Sequence, residues 1–112
     1  MIRKMGISLI IILLLSSCGN VVGSHAFYEV LDQIEEALDQ SDWEQLDQYA
    51  VQFQETYDQN KWKLQLVGDE AEYEALYEST QKLLAGVKEQ DSTVVRVEMA
   101  NARALVFEMY SL

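Results

Sequence analysis

The chain has no proline, one cysteine and one histidine among 112 residues. Without proline, nothing interrupts a long helix from within. A single cysteine cannot close an internal disulfide, so no redox bond holds the fold. One histidine and one cysteine cannot supply a zinc-type ligand set. Basic residues are also scarce: eight Lys and Arg stand against 19 Asp and Glu, for a formal net charge of −11. Nucleic acid needs a basic face, so it is excluded as a partner. No apolar run reaches the roughly 20 residues that a spanning helix needs. Neither a glycine-rich phosphate loop nor a Gly-x-Ser-x-Gly turn occurs.

What is present favours helix. About half of the residues are apolar, enough for one modest core, and Glu, Gln, Leu and Ala are common. Residues 1–17 read as an address rather than as part of the fold. Arg3 and Lys4 give a positive start, Ile7 to Leu15 form an apolar run broken only by Ser8, and small Ser16 and Ser17 precede Cys18. This is the three-part order of a secretory signal. The other reading of the same run is a short uncleaved anchor.

The four residues Leu15-Ser16-Ser17-Cys18 resemble the lipobox of bacterial lipoproteins. The resemblance implies that the Cys18 thiol takes a diacylglycerol, that residues 1–17 are removed, and that the protein sits on the outer face of the cell membrane. Gly19, next to the cysteine, is not the aspartate-type retention signal of that family. Two acyl chains make a stable anchor where one is marginal. Loss of Arg3 and Lys4 with the signal would make the remainder still more acidic. Anionic headgroups repel such a body, so the lipid must hold it down. Residues 18–24 form a short link. Its six residues from Gly19 to Ser24 reach at most about 20 Å.

Residues 25–112 carry four helical patterns. Phe27, Val30, Leu31, Ile34 and Leu38 make a stripe over His25 to Asp39, with Ser24 as its expected N-cap. Ser41 and Glu44 fit a capping box for a second helix reaching Val67, with the seam Trp43, Leu46, Ala50, Phe53, Tyr57, Asn60, Leu64. Gly68 is expected to end it as a C′ glycine. Asp69 with Glu72 opens a third helix running to Lys88, with the seam Tyr73, Leu76, Thr80, Leu83, Val87 and with Tyr77 and Leu84 beside it. Asp91 or Ser92 caps a fourth, with the seam Val95, Met99, Ala102, Val106, Met109, widened by Val94, Leu105 and Leu112. The β-branched run Thr93 to Val97 would suit a strand, but the helical period continues past it. Short connections predict an all-α, antiparallel up-down four-helix bundle. A faint echo also runs through the chain: Phe27-Tyr28-Glu29 is matched 49 residues on by Leu76-Tyr77-Glu78, Asp42 by Asp91, and Leu46 by Val95. Two related hairpins, or coincidence between amphipathic helices, would each account for it.

Asp42-Trp43 at a helix start, a second tryptophan at Trp62, Gly68-Asp69-Glu70, and the exit Leu83-Leu84-x-x-Val87-Lys88-x-x-Asp91 together resemble a family of small helical lipoproteins from Gram-positive bacteria. That family is a domain of unknown function with no established activity, so the resemblance implies no catalytic residue and no cofactor.

The chemistry is correspondingly thin. His25 reads as a solvated helix-start residue. The acids Glu35, Glu36 and Asp39, and Asp69, Glu70, Glu72 and Glu74, lack the spacing of a calcium loop. They read as wet faces and as partners of helix dipoles, with weak divalent-cation binding the rival reading at the second cluster. Six tyrosines lie on or beside the seams, as core edges or as the lining of a groove. One cluster stands apart. In an up-down bundle the end of the second helix returns to the membrane side. That helix is about 38 Å long against about 22 Å for the first, so its end should overhang. The overhang carries Lys61, Trp62, Lys63 and Leu66, whose types suit a headgroup zone or a membrane protein. The alternative is that Trp62 plugs the base of the core. The expected role is a non-enzymatic accessory lipoprotein, a scaffold for a membrane or envelope protein. Its rival is a surface module for a small cationic or sugar ligand.

Overall fold

The computed structural model describes residues 24–111. The signal segment, Cys18 and the link as far as Gly23 lie outside the described residues. Four helices follow in order: α1 Ser24–Asp39, α2 Trp43–Val67, α3 Glu70–Lys88 and α4 Ser92–Tyr110. Each packs on its neighbour in the chain, and α4 closes the ring against α1. The result is the antiparallel four-helix bundle that the periodicity predicts. Thr93 to Val97 is helical.

The seams meet in one core. The stripe of α1 and all five seam residues of α4 are buried. In α2, Leu46, Ala50, Phe53, Tyr57 and Leu64 are buried, while Trp43 and Asn60 are half-buried. In α3, Tyr73 lies at the edge and Tyr77 is exposed. Phe27 of α1 meets Phe53 of α2 edge to face, with ring centroids 5.7 Å apart. Three buried polar residues join the core. Thr56 and Thr80 return their hydroxyls to the carbonyls of Gln52 and Leu76. The Ser79 hydroxyl reaches across to Glu98, 3.0 Å from its carbonyl oxygen and 2.9 Å from its carboxylate. Each is thereby satisfied without water.

The turns correct three expectations. Ser41 does not cap α2. It is the left-handed residue that ends α1, with φ 53°, and its N–H donates to the Leu38 carbonyl while that of Asp42 donates to the Ala37 carbonyl. This is a Schellman ending, which takes up the orphan carbonyls of the last turn. Asp42 then caps α2 by accepting from the Gln45 N–H at 3.2 Å. Gly68 ends α2 in extended conformation, φ −113° and ψ 165°, so a left-handed bend is not why glycine stands there. A Cβ at Gly68 would lie 2.8 Å from the Met109 methyl carbon, so a larger residue there would require the flexible Met109 side chain to shift. Ser24 is the first described helical residue rather than a cap. The Asp69–Glu72 capping box is formed in both directions, at 2.8 and 3.0 Å, and Asp91 rather than Ser92 caps α4.

The 49-residue echo is structural. Gln90 has φ 53°, as Ser41 does. Its N–H donates to Val87 and that of Asp91 to Gly86, repeating bond for bond the turn at Ser41 and Asp42. Buried Phe27, Ile34, Ala37, Leu38, Leu46, Ala50, Phe53 and Tyr57 correspond to buried Leu76, Leu83, Gly86, Val87, Val95, Met99, Ala102 and Val106. The bundle is therefore two like hairpins, α1–α2 and α3–α4, packed face to face. A left-handed residue other than glycine is strained. Gln90→Gly is accordingly expected to stabilise the fold by about 0.5–1 kcal/mol. Urea denaturation reads this, and an unchanged or lower midpoint would contradict it.

Candidate functional site

Phe27 and Phe53 set the level of α1 against α2. From there α2 runs on to Val67, whereas described α1 extends only back to Ser24. Antiparallel pairing leaves α2 overhanging by about 16 Å. The overhang holds the residues that the sequence singled out. Trp62 is 59% exposed and Leu66 is 77% exposed, so Trp62 does not plug the core. The plug is Leu64, which is fully buried, with Met109 of α4 closing over Gly68. Lys61 is exposed, and the Lys63 ammonium stands 5.4 Å from the centre of the Trp62 ring, within range of cation–π attraction.

Sequence reasoning missed a third apolar side chain at this end. Phe107 is 65% exposed, and it lines the same surface groove as Tyr28 near the start of α1. Among the described residues, Leu66, Phe107 and Trp62 are the three most exposed large apolar side chains. All three lie toward the end where the chain enters α1, Trp62 and Leu66 on α2 and Phe107 on α4. The signal for Phe107 was available, because it falls between the buried Val106 and Met109 and off their face.

Tyrosines form a second feature on the α2–α3 side. Tyr57, Tyr73 and Tyr77 line a groove of ≈ 280 Å³ with Lys61, Gln65 and Glu74. The Tyr57 hydroxyl donates to the Tyr73 carbonyl at 3.2 Å, and its ring tilts on Tyr77 at 5.8 Å. Burial, and then the neighbouring Tyr73, Asp58, Tyr77 and Glu74, push the Tyr57 phenol above its ordinary value. Its hydroxyl is thus spent on holding α2 to α3. The groove is smaller than the roughly 300–1,000 Å³ of ordinary ligand pockets.

Arg96 and Arg103 tie α4 to α1. Arg96 bonds Asp39 at 3.2 Å, and Arg103 reaches Asp32 at 2.9 Å and Glu35 at 3.5 Å. These pairs are exposed and contribute little each. Among the described residues no group of three or more His, Cys, Asp and Glu side chains is placed to hold a metal ion, and no helix is long and apolar enough to cross a membrane.

No family model, curated protein or solved structure matches this chain. The likeness to small helical lipoproteins therefore rests on the sequence pattern alone.

Proposed function

We propose that this chain is a lipid-anchored, non-enzymatic accessory protein of the outer membrane face, held through a diacylglyceryl Cys18, whose base rests on headgroups or on a membrane protein. One observation carries the proposal: Trp62 and Leu66 are exposed together, beside Lys61 and Lys63, at the end nearest the proposed anchor. Tryptophan and lysine favour the interfacial zone, and exposed apolar groups gain by leaving water. The chain as a whole is acidic and would be repelled by anionic lipid, and Lys61 and Lys63 make this end an exception. The alternative, a module for a small cationic or sugar ligand, has the tyrosine groove in its favour. Its small volume and the spent Tyr57 hydroxyl weigh against that.

The two tryptophans provide a ruler. Trp43 opens α2 and Trp62 lies near its end, about 28 Å apart along the helix. In vesicles carrying the lipidated chain, a Trp43→Phe variant should show blue-shifted emission that brominated lipid quenches strongly. A Trp62→Phe variant, reporting Trp43, should show little quenching. Equal or absent quenching in the two would remove the lipid contact and leave the protein-partner form of the proposal.

A further inference from the structure

Helix α4 has two apolar seams, and the core uses one. Val95, Met99, Ala102, Val106 and Met109 are buried. On the opposite side Thr93, Val97, Ala100, Ala104 and Phe107 are all exposed, with Val97 at 51% and Phe107 at 65%. Their spacing is four, three, four, three, the period of helices that pack along their length.

The repeat within the chain shows that this face is not a by-product of folding. The corresponding residues of α2, 49 positions earlier, are Glu44, Gln48, Val51, Glu55 and Asp58, also all exposed. The two helices occupy equivalent places in equivalent hairpins. One presents water with three acids, an amide and a single valine, the other with a threonine, a valine, two alanines and a phenylalanine. Packing of the bundle asks the same of both, so the apolar face of α4 answers to something outside the bundle.

The borders of the face specify what that is. Arg96 and Arg103 flank it on the α1 side, and Asn101 and Glu108 on the α3 side. Arg96 and Arg103 are the only arginines among the described residues of an acidic chain. When two such helices lie parallel and in register, flanking positions five apart face each other across the seam. Arg96 then meets Asn101 of the second helix, and Arg103 meets Glu108, each twice by symmetry. Antiparallel pairing would set arginine against arginine. Ala100 and Ala104 admit a close backbone approach, and an open groove of ≈ 930 Å³ between α1 and α4 continues from them past Tyr28 to Phe107.

We infer that the exposed face of α4 docks a second copy of this chain, α4 on α4, parallel and in register, with Arg103 of each copy paired to Glu108 of the other. Both contacts of Arg103 with α1 use one terminal nitrogen, Nη2, and they hold its guanidinium at the edge of the seam. Two copies related in this way have the same end down. They could therefore stand side by side on one membrane, although the pairing itself follows from α4 and not from the anchor. A single helix face about 28 Å long buries less than a standard interface, so association in dilute solution is weak and confinement to a surface strengthens it.

The test is disulfide cross-linking of the full chain in the membranes of producing cells. Ala104→Cys should give a covalent dimer on mild oxidation. Gln48→Cys, on the equivalent helix of the other hairpin, and the unmodified chain should not. Co-expressed Val97→Cys and Phe107→Cys chains of different length should form dimers of like with like; mixed dimers would mean antiparallel pairing and overturn the inference. In the Ala104→Cys background, Arg103→Glu and Glu108→Arg should each lower the yield about five- to tenfold through two like-charge pairs. Expressing both together should restore it as the mixed dimer, in which both charge pairs are opposite. No excess of Ala104→Cys over Gln48→Cys dimer, no preference for the mixed dimer, or capture of a different protein instead would each overturn it. The result does not depend on the lipid contact of Trp62, because quenching reads one end of α2 and cross-linking reads α4.

Discussion

Phe53→Ala is expected to remove about 3–5 kcal/mol of folding stability. Phe53 is fully buried in the middle of α2, and its ring is packed edge to face on Phe27, the other fully buried phenylalanine. Truncation forfeits that contact and leaves a cavity that neighbours on three helices can fill only by shifting. The corresponding core position of the second hairpin is the small Ala102. A domain of this size has about 5–15 kcal/mol in total, so the loss takes a large share of it. Urea denaturation followed by helical circular dichroism is the measurement. A loss below about 1 kcal/mol would mean that this layer is not packed as described.

The second large effect concerns location. Cys18→Ala is expected to abolish incorporation of labelled fatty acid, while the unmodified chain is labelled and fractionates with membranes. The size of the effect follows from chain arithmetic. One acyl chain partitions only marginally, with a constant on the order of 10⁴ M⁻¹, and a second makes the anchor stable. Losing both leaves a body whose many acids are repelled by anionic lipid and whose exposed apolar end is small. An unmodified chain that emerges unlabelled and freely diffusing would end the anchored reading. The α4 pairing would remain to be judged by cross-linking.

The helices were legible because period and punctuation agree. Apolar spacing of three and four marked the seams, and Gly68, Asp69 and Asp91 marked the breaks. The first turn misled because Ser41 and Glu44 have the letters of a capping box, whereas the bonds that decide the matter run backward to Leu38 and Ala37. A serine in left-handed conformation has no signature in sequence. Buried Ser79 was missed because its partner, Glu98, lies on another helix. Ala37 and Gly86 were missed because small side chains seldom mark a seam. A Cβ at Gly86 would lie 2.8 Å from Val94, so it is the closeness of α3 and α4 that buries it.

At the candidate site, Lys61, Trp62, Lys63 and Leu66 stood out because a basic and aromatic cluster is rare in an acidic chain, and antiparallel alternation put them at the base. Phe107 and the second face of α4 did not stand out. A helix with two apolar stripes reads as one broad core face until neighbours are in place, and Val94 and Leu105, between the two stripes, blurred the division.

The paired hairpins also bear on how the chain assembles. Each contains its own tight bend and an extensive helix-to-helix face of its own, so each could zip up from local encounters while the other half was still unformed. The meeting of α1 with α4, with a slighter one of α2 with α4, joins distant parts of the sequence. Topologies rich in short-range contacts fold fast. A polypeptide delivered one end first would therefore need just one late docking event to be complete.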